Sequence, residues 1–184
     1  MPQAFCIADQ ERVEATLDRL ARQIHATLPS DLVIVGIRRR GVPLAQHLAG
    51  RVENMTGSRP HEREVTVKRY ADDLTLLHKE PRLDASESTP PIELRGQAVL
   101  LVDDVLFSGH TLLRVLQRLR DAEPADVRVA VLCARDTQEV PRVADFVGMQ
   151  LDVGPRGVID VHAPPYEDDW SVWLSHSNTA TGNQ

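Results

Sequence analysis

Residues 99–111 read Val-Leu-Leu-Val-Asp-Asp-Val-Leu-Phe-Ser-Gly-His-Thr, and the order of residue types in this stretch is informative. The four apolar residues at its start are typical of a strand buried on both faces of a parallel sheet. Asp103 and Asp104 follow at the carboxyl end of that strand, where open α/β sheets bind their ligands. The stretch therefore predicts a parallel sheet with a binding site at this edge.

The residues after the acid pair predict a phosphate-binding turn. Ser108, Gly109 and Thr111 precede residues 112–119, in which apolar residues recur at helical spacing. A loop of small residues that enters a helix offers unpaired N–H groups and the positive end of the helix dipole, which favour a phosphate. Carboxylates accept hydrogen bonds from the hydroxyls of a ribose. The two features together indicate a sugar-phosphate site.

Length and composition are those of one globular domain. The chain has 184 residues, 42% hydrophobic and 26% charged. No apolar run approaches the roughly 20 residues of a membrane span, and the N-terminus lacks the pattern of a signal peptide, so we expect a cytoplasmic protein without a membrane partner. The net charge of −6 argues against broad nonspecific nucleic-acid binding but leaves a local basic patch open. Cys133 ends an apolar run and is expected to be a buried thiol.

Strand and helix signals alternate along the chain. Asp9 is a candidate N-cap of a first helix, and a second helix has Pro43 in its first turn. Strands are expected over residues 32–37, 65–69, 127–133, 146–147 and 158–161, with an edge strand over residues 170–174. This alternation predicts an α/β fold with a doubly wound parallel sheet flanked by helices.

A second anion-binding motif lies between the strand at residues 32–37 and the next helix. Residues 36–41 read Gly-Ile-Arg-Arg-Arg-Gly, which places guanidinium groups and backbone N–H groups in one turn. Guanidinium binds phosphate oxygens in a bidentate manner, so the turn fits a pyrophosphate. Three consecutive arginines can also form a solvated loop, but the position at a strand end favours a site.

These motifs resemble the phosphoribosyl pyrophosphate (PRPP) motif of type I phosphoribosyltransferases. Residues 34–45, 70–74, 130–136 and 144–148 narrow the likeness to the PyrR-type family of pyrimidine operon attenuators and uracil phosphoribosyltransferases. The likeness runs in the same order over residues 5–175. It implies the type I phosphoribosyltransferase fold, with a small hood above the sheet, as a single domain over residues 1–176. Residues 177–184 are expected to be a disordered tail.

The resemblance also implies an activity. Members of the family convert uracil and PRPP to UMP and pyrophosphate with Mg²⁺, and many bind the leader of pyrimidine-operon mRNA when UMP or UTP is bound. A homodimer or homotetramer is expected. Asp103 and Asp104 would be catalytic and would hold the metal, and a strained or cis peptide is expected near Arg38–Arg40. The implied PRPP contacts are Arg38, Arg39, Arg40, Gly41, Val105, Leu106, Phe107, Ser108, Gly109, His110 and Thr111.

The base and lid regions follow from the same resemblance. The base is expected near Arg135 and Val158, and Tyr70, Asp72 and Asp73 would begin a lid over the site. Arg135 is alternatively a surface charge, and the two aspartates are alternatively a solvated turn.

The chain departs from the family pattern at several positions. His110 and Ala71 stand where the family commonly has arginines, which puts full PRPP binding in doubt. Residues 134–141 lack basic residues that the family uses for RNA, and Met149 stands where a lysine is common.

RNA binding is consequently open. Arg12, Arg19 and Arg22 lie within about 80° of one another on the first helix and, with Arg142, could bind phosphates. The alternative for these arginines is a solvated helix flank. For the whole protein, the alternatives are a non-catalytic nucleotide sensor that binds RNA and a purine-type phosphoribosyltransferase.

Overall fold

The structure, a computed structural model, describes residues 4–66, 94–136, 143–154 and 156–176. Its main sheet has five parallel strands in the order β3-β2-β4-β5-β6, which confirms the predicted α/β class. The strands are β2 (Val33–Ile37), β3 (His61–Val65), β4 (Ala98–Leu106), β5 (Asp126–Arg135) and β6 (Phe146–Leu151).

Helices cover both faces of this sheet. Helix α1 (Gln10–Thr27) begins where the Asp9 carboxylate accepts a hydrogen bond from the N–H of Arg12, as the sequence predicts. Helix α2 (Gly41–Thr56) packs with α1 on one face, and α3 (His110–Arg120) packs on the other. Alternate residues of β4 therefore enter different cores: Leu100 and Val102 contact the α1/α2 side, and Val99 and Leu101 the α3 side.

A second sheet forms the hood. It consists of β1 (Phe5–Ala8), β7 (Gly157–His162) and β8 (Ser171–His176), all antiparallel, in the order β1-β8-β7. The prediction of an edge strand over residues 170–174 is wrong, because β8 is the central strand of this sheet. Strand β1, which covers its other side, has only four residues and gives no clear sequence pattern. The buried Trp170 side chain joins the hood to the α1/α2 core.

One further expectation differs from the structure, and several others fall on residues outside the described ranges. The strand predicted to start at Val65 in fact ends there, and residues 67–69 lie outside the described residues. The expected lid residues Tyr70, Asp72 and Asp73 also lie outside them, as do Arg142 and the predicted tail over residues 177–184. Among the described helices, none is both long and apolar enough to cross a membrane.

Candidate active site

The predicted acid pair lies near the carboxyl end of β4. Asp103 is 4% exposed, and its Oδ1 accepts a hydrogen bond of 3.0 Å from the N–H of Asp104. The Oδ1 of Asp104 accepts in turn from the N–H of Val105, at 2.9 Å. Because successive side chains of a strand point to opposite faces, the two carboxylates bracket the strand end, with the half-buried Asp104 more open to a ligand.

The charge of Asp104 influences two neighbouring groups. Burial, with a smaller contribution from Asp104, raises the pKa of the Cys133 thiol to about 12. The hydrogen bond to Glu167 raises the pKa of Arg40, and the charge of Asp104 makes a smaller contribution in the same direction. Cys133 is therefore the buried, protonated thiol that the sequence predicts, and Asp104 faces the positive charge at the start of α2.

The turn between β4 and α3, residues 107–109, has the geometry that the predicted phosphate site requires. Gly109 adopts a left-handed conformation (φ 77°) as the N-cap of α3, and its carbonyl accepts the first helical bond, from the N–H of Leu113 at 2.9 Å. The N–H groups before Leu113 have no acceptor within the helix and point toward its N-terminal end. Val105 and Leu106, included in the predicted phosphate site, instead belong to β4 and pair with Cys133 and Ala134 of β5.

Residues 38–41, which we call the arginine loop, connect β2 to α2 next to the acid pair. The N–H of Arg38 donates to the carbonyl of Val65 at 2.9 Å, and the peptide between Arg38 and Arg39 is cis, which confirms that expectation. At the other end of the loop, a Cβ on Gly41 would lie only 2.7 Å from the carbonyl oxygen of Val102. Strand order thus brings the arginine loop and the acid pair into direct contact, since β2 and β4 are neighbours.

The three arginines of this loop have different surroundings. Arg38 forms an exposed ion pair with Glu64 at 2.7 Å. The guanidinium of Arg39 lies 4.9 Å from the ring centroid of Tyr166. Arg40 donates to both carboxylate oxygens of Glu167, at 2.6 and 3.3 Å, and lies 3.3 Å from Asp160. The side chain of Arg40, which the sequence predicts to bind PRPP, is thus directed to the hood in this structure.

Arg135 lies at the end of β5 and is not a surface charge. It is 9% exposed, and its guanidinium lies 4.7 Å from the ring centroid of Phe107, a cation–π contact with the turn before α3. Its Nη2 donates to the carbonyl of Gly154 at 2.6 Å, whereas its buried Nε has no hydrogen-bond partner among the described residues. Val158, the other predicted base contact, is 40% exposed on β7 of the hood.

Three of the arginines predicted to bind RNA, Arg12, Arg19 and Arg22, belong to α1. Arg12 donates to the carbonyl of Ile7 at 3.3 Å, and Arg19 donates to the carbonyl of Gly148. Both line a groove of about 680 Å³ that Met149 and Asp152 also border. Arg22 is exposed on the same helix.

The sequence offers no signal for Asp160, Tyr166 and Glu167, the hood residues that contact the arginine loop. They are separated from it by more than a hundred positions in the chain, and their residue types are ordinary for a surface turn.

The acid pair could bind a magnesium ion only if substrate phosphates and waters supplied the remaining ligands. Among the residues that the structure describes, no three carboxylate, histidine or cysteine side chains cluster as a metal site. Mg²⁺ commonly uses one or two carboxylates together with waters and substrate phosphates, and Asp103 and Asp104 provide that number of ligands.

Comparisons with known proteins agree with this geometry. Residues 6–169 match the phosphoribosyl transferase domain family. The chain is 31% identical over 175 residues to the bifunctional protein PyrR of Elusimicrobium minutum, covering 94% of this chain and 97% of that protein. It is 36% identical to that of Pelotomaculum thermopropionicum, covering 84% and 86%. A solved hypoxanthine phosphoribosyltransferase of Trypanosoma cruzi superposes with a TM-score of 0.71 at 16% identity, covering 93% of this chain and 95% of that one, which shows a shared fold.

Proposed function

Since the chain belongs to the phosphoribosyl transferase domain family, we propose that it transfers the phosphoribosyl group of PRPP to uracil, giving UMP and pyrophosphate. The observation that carries the proposal is the contact between the arginine loop and the acid pair, where Gly41 rests on the end of β4. This contact supports a site in which the cationic groups of the loop bind the leaving pyrophosphate and the neighbouring carboxylates bind the ribose. The PyrR name of the relatives, with the family likeness of the sequence, supports a pyrimidine as acceptor.

The proposed chemistry follows from how charge develops. Breaking the bond between the anomeric carbon and pyrophosphate leaves positive charge on the sugar and negative charge on the leaving group. Asp104 stabilises the sugar cation and, with Asp103, orients the ribose hydroxyls. Arg38, Arg39 and the backbone N–H groups of the arginine loop stabilise the leaving pyrophosphate. Electrostatic stabilisation by groups already fixed in position is usually the largest single contribution to enzymatic rate enhancement. Mg²⁺, when bound, supplies further neutralisation of the phosphate oxygens.

The phosphate and the base occupy neighbouring parts of the proposed site. The 5′-phosphate binds the N–H groups at the start of α3, and Ser108 and Thr111 remain proposed members of the same phosphate site. The base lies between Phe107 and Val158, and the unpartnered Nε of Arg135 is a donor for a carbonyl oxygen of uracil. Tyr70, Asp72 and Asp73 remain the proposed start of a lid that excludes water.

A second function is proposed on the groove beside α1. The likeness to bifunctional PyrR proteins supports binding of pyrimidine-operon leader mRNA in response to UMP or UTP. Arg12 and Arg19 line one groove, and each uses a single described hydrogen bond to a backbone carbonyl, so further N–H groups of both guanidiniums are available to phosphates. Arg22 and Arg142 are the remaining members of the proposed face.

The experiment compares pyrophosphate release by wild type and Asp104→Asn with PRPP, Mg²⁺ and uracil, hypoxanthine or guanine. We expect turnover with uracil alone, and a loss of at least about 100-fold in kcat in the variant. Asp121→Asn, at the exposed end of α3, is the control and should keep wild-type activity. Turnover with a purine would select the purine-type alternative, and UMP binding without turnover would select the nucleotide sensor.

A further inference from the structure

A short turn of the hood, residues 163–167, contacts the arginine loop. Within this turn the N–H of Tyr166 donates to the carbonyl of Ala163 at 3.0 Å, and the Glu167 carboxylate accepts from the N–H of Ala163 at 2.8 Å. This hydrogen bond within the turn fixes the position of the Glu167 carboxylate. We call these residues the hood turn.

Glu167 uses the rest of its carboxylate for Arg40. Oε1 accepts from Nη2 of Arg40 at 2.6 Å and Oε2 from Nε at 3.3 Å, a two-point contact that fixes the orientation of a guanidinium. Both side chains are largely shielded, at 28% and 24% exposure, so solvent screens this pair less than the surface pairs elsewhere. The bond from Arg40 lowers the pKa of Glu167, which keeps the carboxylate ionised at neutral pH.

Arg39 of the arginine loop also contacts the hood turn. Its guanidinium lies 4.9 Å from the ring centroid of Tyr166, which is 43% exposed. A cation over an aromatic face at an exposed site is a weak contact, so an anionic ligand can draw Arg39 away. The Arg40 pair is the stronger of the two contacts.

The arginine loop is thus held at three places. The carbonyl of Val65 holds Arg38, the end of β4 supports Gly41, and the hood turn holds the two residues between them. The third of these places lies in the hood and is made by side chains, which are less exposed than those of the ion pair between Arg38 and Glu64.

We infer that Glu167 is a positioning residue, which holds the Arg40 side chain so that the arginine loop keeps the shape that binds the pyrophosphate group of PRPP. The inference rests on the proposed function in that it takes PRPP as the ligand of the loop. It assigns Arg40 a structural task and leaves the direct phosphate contacts to Arg38, Arg39 and the loop backbone. It also makes the hood a part of the PRPP site.

The test is the variant Glu167→Gln, which keeps the size of the side chain and removes its charge. The KM for PRPP should rise about tenfold, because the substitution removes a charge-assisted hydrogen bond that holds the loop, while the KM for uracil stays unchanged. Glu167→Asp keeps the charge and should recover part of the PRPP affinity. Binding of PRPP and of pyrophosphate, each with Mg²⁺, is measured by calorimetry alongside turnover, and the melting temperature of every variant is recorded.

Glu62→Gln is the matched control. Glu62 pairs with Arg59 at 2.7 Å and is exposed to a similar extent, 26%, but it lies on β3 away from the arginine loop. The control should leave both KM values and the PRPP affinity at wild-type values.

The outcomes separate this inference from the proposed function. A wild type that turns over uracil, together with a Glu167→Gln variant of unchanged PRPP affinity, overturns the inference and leaves the proposed function intact. A wild type that binds PRPP without uracil turnover, with binding weakened in the variant, supports the inference and contradicts the function. A lowered melting temperature with unchanged PRPP affinity shows a merely structural role and overturns the inference, as does a wild type that binds neither PRPP nor pyrophosphate.

Discussion

Gly41 lies directly against Val102: a Cβ on Gly41 would approach the Val102 carbonyl oxygen to 2.7 Å and Oδ1 of Asp103 to 3.5 Å. The Val102 carbonyl belongs to the backbone of β4 and cannot yield easily to such a contact, so only glycine at the start of α2 permits the observed approach of the arginine loop to the acid pair. The spacing between the proposed ribose and pyrophosphate sites therefore depends on the absence of a side chain at Gly41.

The first prediction is that Gly41→Ala damages the site. The added methyl group must push the arginine loop away from β4, at a cost of about 1–3 kcal/mol in the free energy of unfolding. We expect kcat/KM for PRPP to fall by at least about tenfold, measured by steady-state kinetics with a urea unfolding curve.

The control for this prediction is Gly50→Ala on α2. A Cβ there meets nothing nearer than Nη1 of Arg59, at 3.7 Å, and alanine favours a helix over glycine by about 0.5–1 kcal/mol. This control should retain full activity with equal or higher stability. Equal activities of the two variants would show that the close approach at Gly41 has no role in the site.

The second prediction concerns the base end of the site. Arg135→Lys cannot keep both the planar contact with Phe107 and the hydrogen bond to Gly154, because an ammonium is a point charge without a flat face. The KM for uracil should rise about tenfold while the KM for PRPP changes little.

Arg128→Lys is the control for Arg135→Lys, since Arg128 is an exposed arginine on the same strand, far from the site end, with surface ion pairs only. It should behave as wild type. A change in the KM for PRPP rather than for uracil in Arg135→Lys would remove Arg135 from the base site.

The third prediction concerns the two thiols. Burial, with the added charge of Asp104, raises the pKa of Cys133 to about 12, whereas Cys6 is exposed. The thiolate is the reactive form, so at pH 8 a thiol-specific chromogenic reagent should modify one cysteine in the folded protein and two in urea. Cys6→Ser should abolish the fast reaction. Rapid modification of the folded Cys6→Ser variant would contradict the burial of Cys133.

The raised pKa of Cys133 also determines how the free energy of unfolding changes with pH. The folded-state pKa of Cys133 lies above its ordinary value of 9.0, so the unfolded chain loses this proton first as pH rises. The contribution of Cys133 to the free energy of unfolding is complete below pH 9 and declines between about pH 9 and 12. Cys133→Ala should show a shallower loss of stability in that range in urea unfolding curves.

The fourth prediction concerns the groove beside α1. Arg12→Gln/Arg19→Gln should weaken the UMP-dependent binding of the protein's own pyrimidine-operon leader RNA. The slope of log K against log salt should fall by about 0.7 for each phosphate of a single strand that the variant no longer neutralises. Arg95→Gln, at an exposed arginine away from the groove, is the control. An unchanged salt slope would place RNA elsewhere or nowhere on this protein.

The sequence predicts those parts of the site that are formed by consecutive residues. Asp103 and Asp104 follow an uninterrupted apolar run, and Gly109 precedes a helical pattern, so residue order alone locates the strand, the acid pair and the turn. The arginine loop is predicted in the same way, including its cis peptide, which follows from family likeness.

The contacts that sequence does not predict join distant segments. Arg40 and Glu167 are 127 positions apart, and no periodic pattern connects them. The three guanidiniums look equivalent in the sequence, yet tertiary packing gives each a different partner. Similarly, the pairing of the four-residue β1 with β8 turns a predicted edge strand into a central one.

The most direct measurement is a ³¹P NMR time course of the wild-type protein with PRPP, Mg²⁺ and uracil. We predict that the resonances of PRPP disappear while those of UMP and pyrophosphate grow in equal amounts, and that nothing changes when uracil is omitted. A spectrum in which PRPP persists, or in which it yields pyrophosphate and ribose 5-phosphate without UMP, would contradict the assignment of this protein as a uracil phosphoribosyltransferase.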